Sequence, residues 1–313
     1  MNSSCCAFGE PILYAVLPPF IFLEFILGIV GNILALWMVC LEFKSWKPNS
    51  VYLLSLTLAD FVVLLCVFFR ADYYLRNQDW VYGDMPCRLL LFVTSVARAS
   101  SMLFLSLIAL NRFFHILFPF HKVNSITVKQ AACICITLWL CLLTIHTYIL
   151  TSPRFLQLPN ATLCESFTIC PQAATSWQDI FYLSLCTYSL LTICCSTVSI
   201  AKHLKNNAID LNGKVGRAMR FLIVLAVVFI LCYLPGAIIR ITIIVLISMK
   251  YRDCAEFRGA NLGFSFAVCF TYFYSMLNPI LYYFSSPSSH KLLANLCRNP
   301  LTSSLTVATY SEK

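Results

Sequence analysis

Seven apolar runs of membrane-spanning length dominate the chain, at residues 17–41, 51–71, 89–113, 130–150, 178–201, 217–247 and 262–284. A helix needs about 17–25 such residues to cross the hydrocarbon core of a bilayer. There, only helices and closed barrels satisfy every backbone N–H and C=O, and continuous runs this long read as helices. The expected fold is an all-α membrane protein, a seven-transmembrane helix bundle. Composition agrees: 11% of the residues are charged, against about 25% in an average soluble domain. The first Lys or Arg is Lys44. No basic n-region of a secretory signal is therefore visible, and the first run reads as an uncleaved anchor.

Charge in the short loops orients the bundle. One set of loops holds twelve basic residues, among them Lys44, Lys47, Lys122, Lys129, Lys202 and Lys205; the opposite set holds six, Arg76, Arg88, Arg154, Lys250, Arg252 and Arg258. The positive-inside rule puts the richer set in the cytoplasm and the N-terminus outside. The expected layout is an extracellular N-terminus at 1–16, a transmembrane domain at 17–286 and a cytoplasmic tail at 287–313. A short cytoplasmic amphipathic helix is expected after the seventh span. The net charge of +9 is mostly this loop bias, so it does not argue for nucleic acid as a partner. Two glycosylation sequons, at Asn2 and Asn160, fall in segments expected outside, where such acceptors are used.

The 17 cysteines sort by compartment. Eleven lie in spans or on the cytoplasmic side, where Cys is a small apolar residue. The other six, Cys5, Cys6, Cys87, Cys164, Cys170 and Cys254, are expected outside, where disulfides form. Adjacent Cys5 and Cys6 are poorly placed to bond each other, so each should reach a different loop. Fifteen pairings of six cysteines exist, and spacing does not choose among them.

Polar residues inside spans face the bundle interior and are candidates for function. The first span has Asn32, the second Asp60, the seventh Asn278 and Pro279; Pro235 in "CYLPG" should kink the sixth. Asp60 is a bare carboxylate at mid-membrane depth. Asn32 and Asn278 are amides placed to donate to it, and a sodium ion suits such an oxygen site. The alternative is plain polar glue between helices.

Asn32, "LxxxD" ending at Asp60, Cys87 at the start of the third span, Arg112 at its other end, Trp139, "CYLP" (with Tyr233 and Pro235) and "NPILY" (Asn278–Tyr282) occur in this order. Together they resemble rhodopsin-like G-protein-coupled receptors over nearly the whole chain. The resemblance implies a plasma-membrane receptor, not an enzyme. It implies that Arg112 contacts a heterotrimeric G protein, and that Asn32, Asp60, Tyr233, Pro235, Asn278, Pro279 and Tyr282 form the activation network. It also implies a Cys87–Cys164 disulfide. "KSWKP", "YGDMPCR", "CESFTIC", "FTYFYSMLNP" and "YYFSSPS" are similar to the hydroxycarboxylic acid receptors. That group implies Cys5–Cys170 and Cys6–Cys254 disulfides, coupling through Gi to lower cAMP, and no cofactor. Arrestin and a receptor kinase are further implied partners, besides membrane lipid. Cys297, after the amphipathic stretch, is a palmitoylation candidate.

Three arginines sit in the outer half of the spans. Arg70 ends the second, Arg240 lies five residues beyond Pro235, and Arg98 lies eleven residues past Cys87, about 16 Å down a helix. Arg70 and Arg240 are near enough to the ends to snorkel; Arg98 is too deep. Glu165 is the expected opposing acid, while Asp72 should pair with Arg76 at i,i+4. The surplus of guanidinium, a planar fork matched to carboxylate, points to a pocket for a small organic acid. Ser166, Phe167, Tyr73, Tyr74 and Tyr272 are candidate lining. The lactate-binding branch resembles this chain at all three arginines and at Glu165. A six-atom acid has an affinity ceiling near −9 kcal/mol, and sub-millimolar to millimolar binding is the expectation.

Two departures stand out. The family's acid before the arginine is Asn111, and Asn278 stands where hydroxycarboxylic acid receptors usually have Asp. A hydroxy fatty acid or eicosanoid ligand is the second reading. A carboxylate transporter is a third, although internal repeats are not visible. Neither Gly-x-Ser-x-Gly nor His-Glu-x-x-His occurs, so no such enzyme motif is present.

Overall fold

The computed structural model describes residues 10–41, 46–151, 155–157, 162–164, 177–207, 214–249 and 254–285. Seven long helices carry the chain: α1 (Pro11–Leu41), α2 (Pro48–Leu75), α3 (Asp84–Leu117), α4 (Val128–His146), α6 (Trp177–Asn207), α7 (Lys214–Ser248) and α8 (Cys254–Ser285). Between α4 and α6 lie a single helical turn, α5 (Tyr148–Thr151), and strands β1 (Phe155–Gln157) and β2 (Thr162–Cys164). All seven long helices are apolar and long enough to cross a membrane. Cys5, Cys6, Cys170, Cys297, Asn2, Asn160, Glu165, Ser166, Phe167 and the stretch after Ser285 lie outside the described residues. So do the side chains of Cys254, Asn278, Pro279 and Tyr282.

The helix starts differ from the hydropathy runs. α1 begins at Pro11, six residues before the expected start, and contains Pro18 and Pro19. Prolines remove helix N–H donors, and membrane helices tolerate them when packing compensates. The packing is a stripe: Leu13, Leu17 and Ile21, spaced by four, are all buried, together with Phe257, Phe264 and Tyr272 of α8. α2 starts with Pro48 at its first turn, the one helical position where the missing N–H costs nothing. α4 opens with a reciprocal capping box, Thr127 with Gln130, which satisfies two N–H groups at its start. Asn77 and Gln78 take positive φ, as does Gly83 just before α3 (φ 87°), where glycine has no Cβ to clash.

The helices pack in sequence as a ring, α1 on α2, α2 on α3, α6 on α7 and α7 on α8, which α1 closes against α8. α3 runs through the interior and touches α2, α4, α6 and α7. α1 and α4 leave wide apolar faces such as Ile26, Val30, Ile136 and Leu140 exposed. In a bilayer those faces meet lipid, which is as apolar as they are.

The hairpin β1–β2 is an addition to the all-α expectation. Its antiparallel register pairs Phe155 with Cys164 and Gln157 with Thr162. It caps the bundle end that carries Cys87. Trp80 N donates to Thr162 O (2.8 Å) and Thr162 N to Asp79 Oδ1 (2.8 Å). The implied Cys87–Cys164 disulfide is formed and joins α3 to β2. Beneath it Tyr73, Trp80, Leu90, Leu91 and Ile149 make a separate apolar cluster.

Candidate functional site

Three polar layers follow one another down the axis of α3. The first is a cavity below the hairpin. Its described lining includes Ser95, Arg98, His146, Gln178, Asp179, Tyr182 and Arg240, from α3, α4, α6 and α7. It measures about 60 Å³.

Arg98 forms one wall. Its Nη2 donates to the Tyr272 hydroxyl (3.1 Å), and its guanidinium stands 5.1 Å from that ring centre. Its Nε is buried with no hydrogen-bond partner among the described residues. A buried donor left unmade costs about 1–3 kcal/mol, more for a charged group.

Arg240 forms the other wall, and here the sequence expectation needs correction. It does not snorkel: it is ion-paired with Asp179 through Nη1 and Oδ1, and both side chains are largely buried. It lies over the Tyr182 ring at 4.4 Å and the Phe264 ring at 5.4 Å. The surplus of cations is therefore smaller than the sequence reading held, because Asp179 is a second acid at the site. The signal was present, since Asp179 falls inside the run at 178–201 and His146 inside the run at 130–150. Ionisable residues at membrane depth are candidates wherever they occur. His146 Nδ1 faces Leu142 O at 2.8 Å. A carbonyl can only accept, so Nδ1 carries the proton and Nε2 is the remaining ring atom.

Arg70 is buried too, not snorkelled. Its Nη1 donates to Cys164 O at 2.8 Å, and it stands over Tyr73 at 5.4 Å. It supports the disulfide-bonded strand and is not among the described residues lining the cavity. Tyr73 and Tyr74 are buried in ring packing, Tyr73 at 6.2 Å from Trp80, and they do not line the cavity either. Tyr272 reaches it through Arg98. The expected pair on one helix is present: Arg76 Nε donates to Asp72 Oδ2 at 2.7 Å, and Tyr82 donates to the same oxygen. That bond to the carboxylate raises the Tyr82 hydroxyl above its usual range.

The second layer surrounds Asp60, which is buried. Its Oδ1 accepts from Ser101 Oγ and Ser275 Oγ, each at 3.1 Å. The expectation that Asn32 donates to it is corrected: Asn32 Nδ2 donates to Gly28 O (2.9 Å) and Ser275 O (2.8 Å). Asn32 thus ties α1 to the α8 backbone, and small hydroxyls from α3 and α8 serve the acid. Asp60 Oδ2 has no partner among the described residues. A bare carboxylate oxygen beside two hydroxyl oxygens is an all-oxygen donor set that fits a hard cation such as sodium. Below it, Tyr233 of α7 stacks near Tyr274 of α8 (5.1 Å) and Phe229 (4.9 Å).

The third layer is Arg112, with its guanidinium 5.8 Å from the Phe221 ring of α7.

A seven-transmembrane receptor (rhodopsin family) profile matches residues 31–282. Human hydroxycarboxylic acid receptor 2 is 36% identical over 306 residues, covering 97% of this chain and 84% of that protein. Human hydroxycarboxylic acid receptor 1 is 36% identical, covering 94% and 84%. Human oxoeicosanoid receptor 1 is 33% identical, covering 91% and 73%. The chain belongs to the rhodopsin family of seven-transmembrane receptors, is related to the hydroxycarboxylic acid receptors, and is a multi-pass plasma-membrane receptor rather than an enzyme.

Proposed function

We propose that the protein is a receptor for a small hydroxycarboxylic acid of the lactate type, with the Cys87 end outside the cell, signalling through Gi to lower cAMP. The observation that carries this reading is Arg98, which lines a cavity of about 60 Å³ between α3, α4, α6 and α7 and forms no ion pair with a carboxylate among the described residues. A carboxylate there gains charge-assisted hydrogen bonds.

Signalling is a population shift. The acid binds one packing of the bundle better than the other, and only that difference can move the equilibrium. α7 then swings about Pro235, the Arg112–Phe221 contact opens, and G protein meets Arg112. Sodium at Asp60, held with Ser101 and Ser275, would favour the closed packing by drawing α2, α3 and α8 together. Arrestin and a receptor kinase would act on the open form. Glycans at Asn2 and Asn160, and the Cys5–Cys170 and Cys6–Cys254 disulfides, belong to the same proposed outside face. Glu165, Ser166 and Phe167 would take part in binding the acid, and Cys297 would carry a palmitoyl group. The similarity to human oxoeicosanoid receptor 1 supports a hydroxy fatty acid as the second reading.

A dose series of lactate, 3-hydroxybutyrate and nicotinate in a cAMP assay tests the proposal on wild type and Arg98→Ala. At least one acid is expected to lower cAMP, with potency falling tenfold or more in the variant. Silence to all three, or an undiminished response in Arg98→Ala, overturns it.

A further inference from the structure

Of the two arginines lining the cavity, only Arg240 carries a carboxylate of the protein itself among the described residues. We infer that Asp179 is a resident counter-anion which reserves Arg240, so that the cavity takes monocarboxylates and turns dicarboxylates away. The inference rests on the small-acid reading and adds a specificity-determining residue to it.

The argument is one of charge and of competition. The described lining holds two guanidiniums and one carboxylate, and that carboxylate is paired with Arg240. A ligand with one carboxylate can pair with Arg98 and leave the Asp179–Arg240 pair intact. A second carboxylate on the ligand has two options. It can sit near Asp179, where like charges repel, or it can displace Asp179 from Arg240. Displacement takes Asp179, whose side chain is 8% exposed, away from its guanidinium, and separating a buried ion pair is strongly unfavourable. The resident acid also has an entropic advantage, because its position is fixed by the first turn of α6, whereas a ligand must be immobilised. Tyr182 and Phe264, packed on the Arg240 guanidinium, restrict its movement toward other partners. Discrimination arises here from a repulsive element, a common source of specificity.

The test is ligand-induced thermal stabilisation of the purified full-length receptor. It uses lactate, 3-hydroxybutyrate and nicotinate as monocarboxylates and L-malate as the dicarboxylate, on wild type, Asp179→Asn and Asp179→Glu. Wild type should be stabilised by a monocarboxylate at concentrations at least tenfold below those at which malate acts. Asp179→Asn is nearly isosteric and removes the resident carboxylate from Arg240, so malate should gain at least tenfold. Asp179→Glu restores the carboxylate and should restore the discrimination, a rescue that a purely structural role for Asp179 would not give. Malate binding unchanged in Asp179→Asn, with monocarboxylate binding intact, overturns the inference and leaves the small-acid reading standing. If Asp179→Asn does not fold, the wild type decides: malate binding as well as the monocarboxylates overturns the inference. No stabilisation of wild type by any of the three monocarboxylates overturns the small-acid reading and this inference with it.

Discussion

Single residues divide α3 into tasks. Arg98 and Arg112 are fourteen positions apart, about 21 Å along a helix and within about 40° on one face. Both are held against aromatic rings of other helices, Tyr272 of α8 and Phe221 of α7. The same residue type therefore serves opposite ends of one helix. Beside the second stands Asn111, which brings no charge to restrain the arginine. Basal signalling should accordingly be measurable, and Asn111→Asp should lower it by adding a carboxylate next to Arg112. Ligand-free cAMP in matched-expression cells checks this; equal basal levels in the two proteins would contradict it. Sequence reading finds Arg98 and Arg240 because charge in an apolar run is conspicuous. It misses Asp179, although that acid lies inside an apolar run, because only the fold brings α6 beside α7 and the carboxylate onto Arg240. It also misplaces Asn32, since a primary amide serves a backbone carbonyl as readily as a carboxylate, and which one it meets depends on packing.

Elements carry the stability of the Cys87 end. The hairpin, the disulfide and Arg70 form one unit, because Arg70 donates to the carbonyl of the disulfide cysteine itself. Closing a loop of 77 residues is worth roughly 4–5 kcal/mol in the chain-entropy account. Cys87→Ser should thus lower both surface expression and thermal midpoint, whereas Arg70→Ala should lower the midpoint by less; an Arg70→Ala receptor with native midpoint would contradict the supporting role. A second fastening joins α1 to α8, where Arg258 grips Glu10 through Nε and Nη2. The guanidinium holds the Glu10 carboxyl below its ordinary range. A depressed folded value means that the contribution is complete above the unfolded value, about 4.3, and is lost as pH falls through the lower folded value. The thermal midpoint of Glu10→Gln should lie below wild type from pH 7 to about 5, with the gap closing under about pH 4; a gap that is constant down to pH 3 would contradict the latch. Hydropathy reads all seven helices, because lipid selects for long apolar runs. It misses the early start of α1, because a proline pair normally ends a helix in water. It also misses the hairpin, whose three-residue strands are too short for any periodic pattern.

As a whole, the molecule is a bundle whose interior stays polar along one line. The cavity with its two arginines, the Asp60 cluster and Arg112 lie in that order, and each layer is shared between α3 and helices that also pack on one another. A change of charge in the first layer can bias the last only if the packing has two arrangements, and the α3–α7 contact at Phe221 is the place where they would differ. The central claim is that a small acid pairs with Arg98 in the cavity while Asp179 keeps Arg240. The most direct measurement is a structure of the receptor at saturating concentration of whichever of lactate, 3-hydroxybutyrate or nicotinate lowers cAMP most. The account predicts a carboxylate at about 2.7–2.9 Å from the Arg98 guanidinium, with Asp179 still bound to Arg240. An acid seated on Arg70 or outside the cavity, or one that has displaced Asp179, would contradict it.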